Sequence, residues 1–507
     1  MRNPQRTTLV SAVVAALALA APLCGAQIIH LEAESAELSG PNLKVMGAPS
    51  ELGPGLKTDP GPDRIAAAAT QDGSTRALKF SGSGYISGFK DPRDRATFRT
   101  RVDKGGLYVL SIAYRTEAHR GYEIEVNDLR IAGLLDATKG DGFTVQRIGA
   151  VELNSGQNTI AIDKGWGFFD LNYIELAPTG PPRKLVRPPS QPSDPQATPE
   201  ARRLLARLDD AYGKTTMLGV YKDSDAKYVL DETGVLPSVM GGDLLAYSSQ
   251  EVAHGANPKA EVERLIARAR EGYVITLSWH WCSPSGLLAT KEEPWWKGFY
   301  TEATTFDIAQ AMADPDSADH AALLSDIDTI AIQLGKLQDA KVPVLWRPLH
   351  EAEGGWFWWG AKGPQPFVEL WQLLHDRLTR VDGIHNLLWV YTSEGDAAWY
   401  PGDAYVDVVG IDQYPKDLRD PQTGLWYRLE TQYGVRKLLA ISEFGGVPDI
   451  PRMQRMGEFW SYAVSWSDAL GPKKNLPEEL KRIYTSSGVE TQPAPLELKP
   501  APAGAPQ

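Results

Sequence analysis

VPVLWRPLHE at 342–351 and KLLAISE at 437–443 are the two segments most diagnostic of the architecture. Each is a short apolar, β-branched run that ends on a glutamate, Glu351 in one and Glu443 in the other. Such runs fit parallel strands buried on both faces. Similar strand candidates begin near Met217, Leu236, Tyr273, Val342, Asn386, Val406, Lys437 and Trp460. Helical patterns such as Ala260 to Arg270 and Phe367 to Arg380 lie between them. Alternation of this kind predicts an α/β TIM barrel, (β/α)8, in which strand C-termini carry the chemistry.

The barrel has a defined start. Eight prolines fall from Pro178 to Pro199, where neither helix nor central strand persists. Thr198-Pro199-Glu200 then reads as a helix start, with Leu204, Leu208 and Tyr212 recurring on one face. Upstream, Tyr122, Ile124 and Val126 alternate with Glu123, Glu125 and Asn127, and helical periodicity is scarce. This predicts an N-terminal all-β sandwich or jelly roll over 27–178. A semi-rigid Pro-rich linker is expected over 179–198, the barrel over 199–488, and a disordered tail over 489–507. A chain cut near Thr198 is expected to fold alone, with the sandwich acting as a tethered module.

Residues 1–26 read as a secretory signal. Arg2 and Arg6 precede the apolar run Leu9 to Leu23, too short to span a bilayer, and Cys24-Gly25-Ala26 ends in small residues. Lipidation at Cys24 is disfavoured by the bulky Leu23 before it. Export, to periplasm or medium, is therefore expected, with no membrane span elsewhere. Loss of Arg2 and Arg6 takes 52 basic residues to 50 against 64 acidic, so the charge moves from −12 to −14 and nucleic acid is excluded as a partner. Only Cys282 would remain, so no internal disulfide is expected.

Two carboxylates at one barrel mouth suit glycoside cleavage, one protonating the leaving oxygen and one attacking the anomeric carbon. Singly, either glutamate reads as a surface acid; at corresponding depths on two strands they read as a pair. Fourteen of the fifteen tryptophans lie between Trp279 and Trp466. Trp346 and Trp389 fall within strands and suit core packing, whereas Trp295, Trp296, Trp356, Trp358, Trp359 and Trp399 fall in loops and suit sugar platforms. His280, at the end of strand three, suits a sugar hydroxyl or a core contact equally. His350-Glu351 lacks the second histidine of a helical zinc site, and there is neither a GxSxG elbow nor a P-loop; Gly82, Gly84 and Gly88 miss dinucleotide spacing by one residue.

WRPLHEAEGGWFWWG at 346–360 resembles the signature of glycoside hydrolase family 26. It is joined in order by LSWHWCSP at 277, EEPWWKGFYTEAT at 292, WYPGD at 399, VVGIDQYP at 408 and ISEFGGVPD at 441. The resemblance covers roughly 200 to 488 and implies a retaining enzyme with Glu351 as acid/base, Glu443 as nucleophile, no cofactor for catalysis, and a mannan-type polysaccharide as partner. It further implies substrate contacts from His280, Arg347, His350, Trp356, Tyr414 (steadying the nucleophile) and Trp466, with Trp295 and Trp296 as outer platforms. Glu353, where many relatives have Asn, and Ser467, where some have Arg, depart from the pattern. Mixed-linked β-glucan, β-1,3-xylan and a non-catalytic glycan-binding role stand as alternatives, and a monomer is expected.

In the N-terminal part, EAESAELSG at 32, GSGYISGF at 82, LNSGQNTIAI at 153 and GWGFFDLNYIEL at 165 resemble carbohydrate-binding module family 35. This implies a sugar-facing Trp166 and a structural calcium at Glu32, Glu34 and Asn172, the last standing where an Asp is usual.

Overall fold

In the computed structural model the described residues are 28–47, 64–69, 75–140, 142–179, 185–188 and 191–492. The expected signal at 1–26 and the tail from 493 lie outside them. Eight parallel strands close into a barrel: Thr216–Val220, Val239–Asp243, Val274–Trp279, Val344–Pro348, Leu387–Thr392, Val408–Gln413, Leu438–Phe444 and Tyr462–Ser465. The first pairs with both the second and the eighth, which completes the ring. All eight expected strands are therefore present, and the family of folds inferred from their alternation with helices is the one found.

Helix Pro199–Ala211 begins where the Thr-Pro-Glu signal places it. Thr198 Oγ1 accepts the Ala201 N–H at 3.2 Å, a cap worth about 1 kcal/mol. Leu204, Leu205 and Leu208 are buried. The chain past 488 does not simply leave the barrel: Val489–Glu490 pairs with the first strand, and Ser238 Oγ donates to the Glu490 carbonyl at 2.8 Å.

Two antiparallel sheets, one of six strands and one of five, precede the barrel. Leu110, Ile112 and Ile174 of one meet Phe98, Ile124 and Ile160 of the other in a shared core, as expected for a sandwich. Arg64–Ala69 and Thr75–Phe80 form a separate antiparallel pair.

The proline-rich segment does not hold the two units apart. The Ser193 N–H donates to Asp407 at 2.5 Å and Asp194 lies 2.7 Å from His385 Nδ1, so the end of the segment is bonded to the barrel. The sandwich itself docks on helix Thr423–Tyr433 and the loop before it. Ala150 N–H donates to Thr423 Oγ1 at 2.8 Å and Ala132 N–H to Asp420 Oδ2 at 3.0 Å. Arg428 pairs with Asp136 at 2.8 Å, and the Arg147 guanidinium lies 3.5 Å from the centre of the Tyr427 ring. Asp420 and Thr423 are thereby buried. Cutting the chain at Thr198 would uncover them, because the two units are docked on one another rather than joined by the linker alone.

Candidate active site

Glu443 lies near the end of the seventh strand and pairs in register with Asp412 of the sixth. Glu351 follows the fourth strand directly. Leu349 and Glu351 both adopt left-handed backbone, with φ of 51° and 55°, at a cost of roughly 1–2 kcal/mol each. This double kink is held by the Glu351 N–H donating to Thr392 Oγ1 at 2.9 Å. It turns the following loop back so that Trp356 Nε1 donates to Glu351 Oε2 at 2.9 Å. Gly354 permits that return, since a Cβ there would lie 1.8 Å from the Trp356 ring.

The Glu443 carboxylate is gripped on both oxygens. Tyr414 donates its hydroxyl to Oε1, and Arg347 donates Nη2 to Oε2. Arg347 also donates Nη1 to Asp412 at 2.5 Å and Nη2 to Tyr221 at 2.9 Å, and Ser442 Oγ donates to Asp412 at 2.8 Å. Arg347 is 0% exposed. Its expected contact with substrate is thus corrected: it lies beneath the site and orients Glu443, because its Nη groups are committed within the protein.

One guanidinium faces two carboxylates here, which leaves negative potential near Glu351. Burial first, then the charges of Asp412 and Glu443, push the Glu351 carboxyl up to about 8, against the opposing pull of Arg347. A carboxylic acid at neutral pH is what proton donation needs. Burial also pushes Asp412 up to about 7, with Arg347 opposing and Glu443 reinforcing.

Beside this pair, His280 Nδ1 lies 2.6 Å from Asp243 Oδ2, and the His280 and His350 Nε2 atoms are 3.2 Å apart. Asp243 only accepts when ionised, so His280 Nδ1 carries a hydrogen and the ring is fixed. Burial and then the Arg347 charge hold His350 well below the usual histidine range, so it is neutral. Trp466 packs edge-on to Tyr221 with centroids 4.6 Å apart and lies 5.9 Å from His280. Glu351, Glu353, Trp356, Glu394, Asp412 and Tyr414 border a cavity of about 270 Å³.

The loop tryptophans divide. Trp356 is 41% and Trp296 53% exposed, and Trp295 is half-buried and stacks on His254 with centroids 5.8 Å apart. Trp358, Trp359 and Trp399 are buried and are not sugar platforms. Trp358 Nε1 donates to the Trp281 carbonyl at 2.7 Å and Trp359 Nε1 to the His350 carbonyl at 2.8 Å, so both fasten the loop behind Glu351. Trp346 and Trp389 are core residues as expected.

Sequence reasoning missed Asp412, Asp243, Tyr221 and Glu394. Asp412 and Asp243 stand at strand ends, the same signal that marked the glutamates, but each was passed over within a quoted or predicted strand. Nothing in the sequence pairs Tyr221 with Arg347.

In the sandwich, Glu32 accepts from Ser81 Oγ and Glu34 from Ser83 Oγ, both at 2.8 Å. The two carboxylates flank Gly82, where a Cβ would lie 2.3 Å from Glu34 Oε1 and 2.9 Å from Glu32 Cδ. Asn172 sits at a bulge beside Tyr173, the register partner of Glu32. Among the described residues no three of His, Cys, Asp and Glu cluster to hold a metal.

Comparison with known proteins accords with this architecture. The model of glycosyl hydrolase family 26 matches residues 193–492, and that of carbohydrate binding module (family 35) matches 64–179. The chain is 38% identical over 476 residues to a mannan endo-1,4-beta-mannosidase of Thermothelomyces thermophilus, covering 92% of this chain and 96% of that one. It is similar to the crystal structure of a Podospora anserina GH26-CBM35 β-(1,4)-mannanase, with TM-score 0.63, 35% identity, and 92% and 97% of the two chains covered. A β-mannanase from a symbiotic protist of the termite Reticulitermes speratus, complexed with gluco-manno-oligosaccharide, is similar over 61% of this chain and 98% of its own, with TM-score 0.55 and 29% identity. A barrel that carries one glutamate after its fourth strand and another on its seventh, matched by the family model along its whole length, makes this chain a glycosidase that belongs to glycosyl hydrolase family 26.

Proposed function

We propose that the chain is a retaining endo-β-1,4-mannanase acting on mannan, galactomannan or glucomannan. The observation that carries the reading is the placement of two glutamates at one mouth: Glu351 beside Trp356, with burial and neighbouring charge pushing its carboxyl up to about 8, and Glu443 bonded by Arg347 and Tyr414. Glu351 gives its proton to the glycosidic oxygen as Glu443 attacks the anomeric carbon, forming a glycosyl ester. Esterification removes the Glu443 charge, so Glu351 loses one cause of its raised pKa and accepts a proton from water in the second step. The named relatives support mannan over β-1,3-xylan and mixed-linked β-glucan. Reducing-end release on the three polymers tests this: mannan alone, or mannan far ahead, is expected, and preference for another polymer overturns it. The reaction itself needs no cofactor.

A structural calcium at Glu32, Glu34 and Asn172 is proposed for the sandwich. Its support is a set of hard oxygen donors in which Glu34 Oε2 and Asn172 Oδ1 are buried without a partner. Millimolar calcium is expected to raise the sandwich melting temperature over chelator-treated protein, and Glu34→Gln to shrink that rise. An identical melting curve with and without calcium overturns the site. We propose export through cleavage after Ala26; N-terminal sequencing of secreted protein is expected to begin at Gln27, and recovery of intact Met1 outside the cell would refute the signal.

A further inference from the structure

We propose that Glu394 binds the sugar that leaves: its carboxylate accepts a hydroxyl of the unit held on the departing side of the cleaved bond. This rests on the retaining mannanase reading and adds to it a residue that selects the leaving half of the substrate. Glu394 follows the fifth strand and borders the cavity of about 270 Å³ together with Glu351, Trp356 and Tyr414. Among the described residues its carboxylate has no hydrogen-bond or ion-pair partner. Arg428, the cation whose charge acts on it, is committed to the sandwich, donating to Asp136 at 2.8 Å and to the Leu134 carbonyl at 3.4 Å. Burial pushes the Glu394 carboxyl up and Arg428 opposes it. A half-buried carboxylate without a donor is stabilised when a hydroxyl supplies one.

The loop that carries Glu394 is held in place without using that carboxylate. Glu353 Oε1 accepts Ser393 Oγ at 2.8 Å and the Glu394 N–H at 3.0 Å, and its Oε2 accepts the Asp396 N–H at 3.3 Å. Gln432 Nε2 donates to the Gly395 carbonyl at 2.8 Å. The Arg428 side chain packs on Gly395, where a Cβ would lie 1.9 Å from its Cδ. The loop is therefore fixed both by the segment after the fourth strand and by helix Thr423–Tyr433. Glu353, which departs from the family's Asn, is a positioning residue for Glu394.

Two sugars meet at the bond that is cut. One is attacked by Glu443, and the other leaves with the oxygen that Glu351 protonates. Glu351 borders the cavity, whereas Glu443, His280 and Trp466 do not. Its walls come from the ends of the fourth, fifth and sixth strands and the loops that follow them. The His280 and Trp466 rings, with centroids 5.9 Å apart, stand instead at the ends of the third and eighth. The cavity therefore lies on the side of the acid. There the 41% exposed Trp356 indole offers an apolar face and Glu394 an acceptor, the two kinds of contact a sugar ring takes.

The test compares Glu394→Ala with wild type, as full chains, on mannopentaose and on an aryl β-mannobioside whose leaving group is an acidic phenol. With a sugar departing, kcat/KM is expected to fall about 10- to 100-fold, the scale of a hydrogen bond to a charged group. With the phenol departing, the loss is expected to be about twofold or less, since no sugar occupies the cavity. The same contact holds a sugar that intercepts the glycosyl ester. Its hydroxyl attacks the anomeric carbon in place of water, giving its proton to Glu351 as the bond to Glu443 breaks. The share of turnover captured by added mannotriose is therefore expected to fall in Glu394→Ala and to recover largely in Glu394→Gln, which keeps an acceptor oxygen. A folding defect would cut both substrates alike and leave that share unchanged. Equal losses on the two substrates, or an unchanged share of transfer, overturn the contact. Inactivity of the wild type on both overturns the mannan reading, and this inference with it.

Discussion

Glu443→Ala is expected to abolish turnover of mannan, by roughly 10⁴-fold or more, while oligosaccharide binding survives. The carboxylate is the only group at that position able to form the ester, and nothing adjacent replaces it: Asp412 is buried and bonded to Arg347 and Ser442. The fold should tolerate the change, because Arg347 keeps Asp412 as its counter-charge. Binding should persist because Trp356, Trp296 and Trp466 are untouched. Hydrolysis at the wild-type rate would remove Glu443 from the chemistry.

Glu351→Ala is expected to show a split by leaving group. On mannan, where the departing hydroxyl needs a proton, the loss should be about 10²–10⁴-fold. On an aryl mannoside with an acidic phenol, the glycosylation step should change far less. The pH profile carries the same information with a defined sign. Glu351 is active in its protonated form, and its carboxyl is pushed up to about 8, so wild-type activity on mannan should fall as pH rises through that region. That alkaline limb should vanish in Glu351→Ala. Equal losses on both substrates, or an unchanged limb, would assign the proton to another group.

Much of this was legible in the residues because it depends on local pattern. Strand-length apolar runs separated by helical periods specify a closed parallel barrel, and a glutamate ending such a run must face the mouth. Burial inside loops was not legible in the same way. Trp356, Trp358 and Trp359 share one short segment, yet one indole lies open over Glu351 while two are buried. Which is which depends on the left-handed turns at Leu349 and Glu351, and a string of residues does not display them. Arg347 is a related case: the family resemblance implied a substrate contact, whereas Asp412 from the sixth strand and Tyr221 just after the first are brought against it beneath the site.

Docking of the sandwich was hidden by sequence distance. Ala132 and Asp420 are 288 residues apart, and neither the alanine nor the aspartate advertises an interface. Prolines between the units suggested a spacer, because proline stiffness is local whereas the surfaces that meet are remote in the chain.

If Glu443 becomes covalently bonded to the sugar while Glu351 handles the proton, the double displacement leaves a stereochemical record. Proton NMR of a manno-oligosaccharide digest, followed from the first minutes, reads the anomeric configuration of the new reducing end before mutarotation. The β-anomer should appear first and the α-anomer only later, by equilibration. Initial appearance of the α-anomer would mean a single displacement by water, and would contradict the role assigned to Glu443.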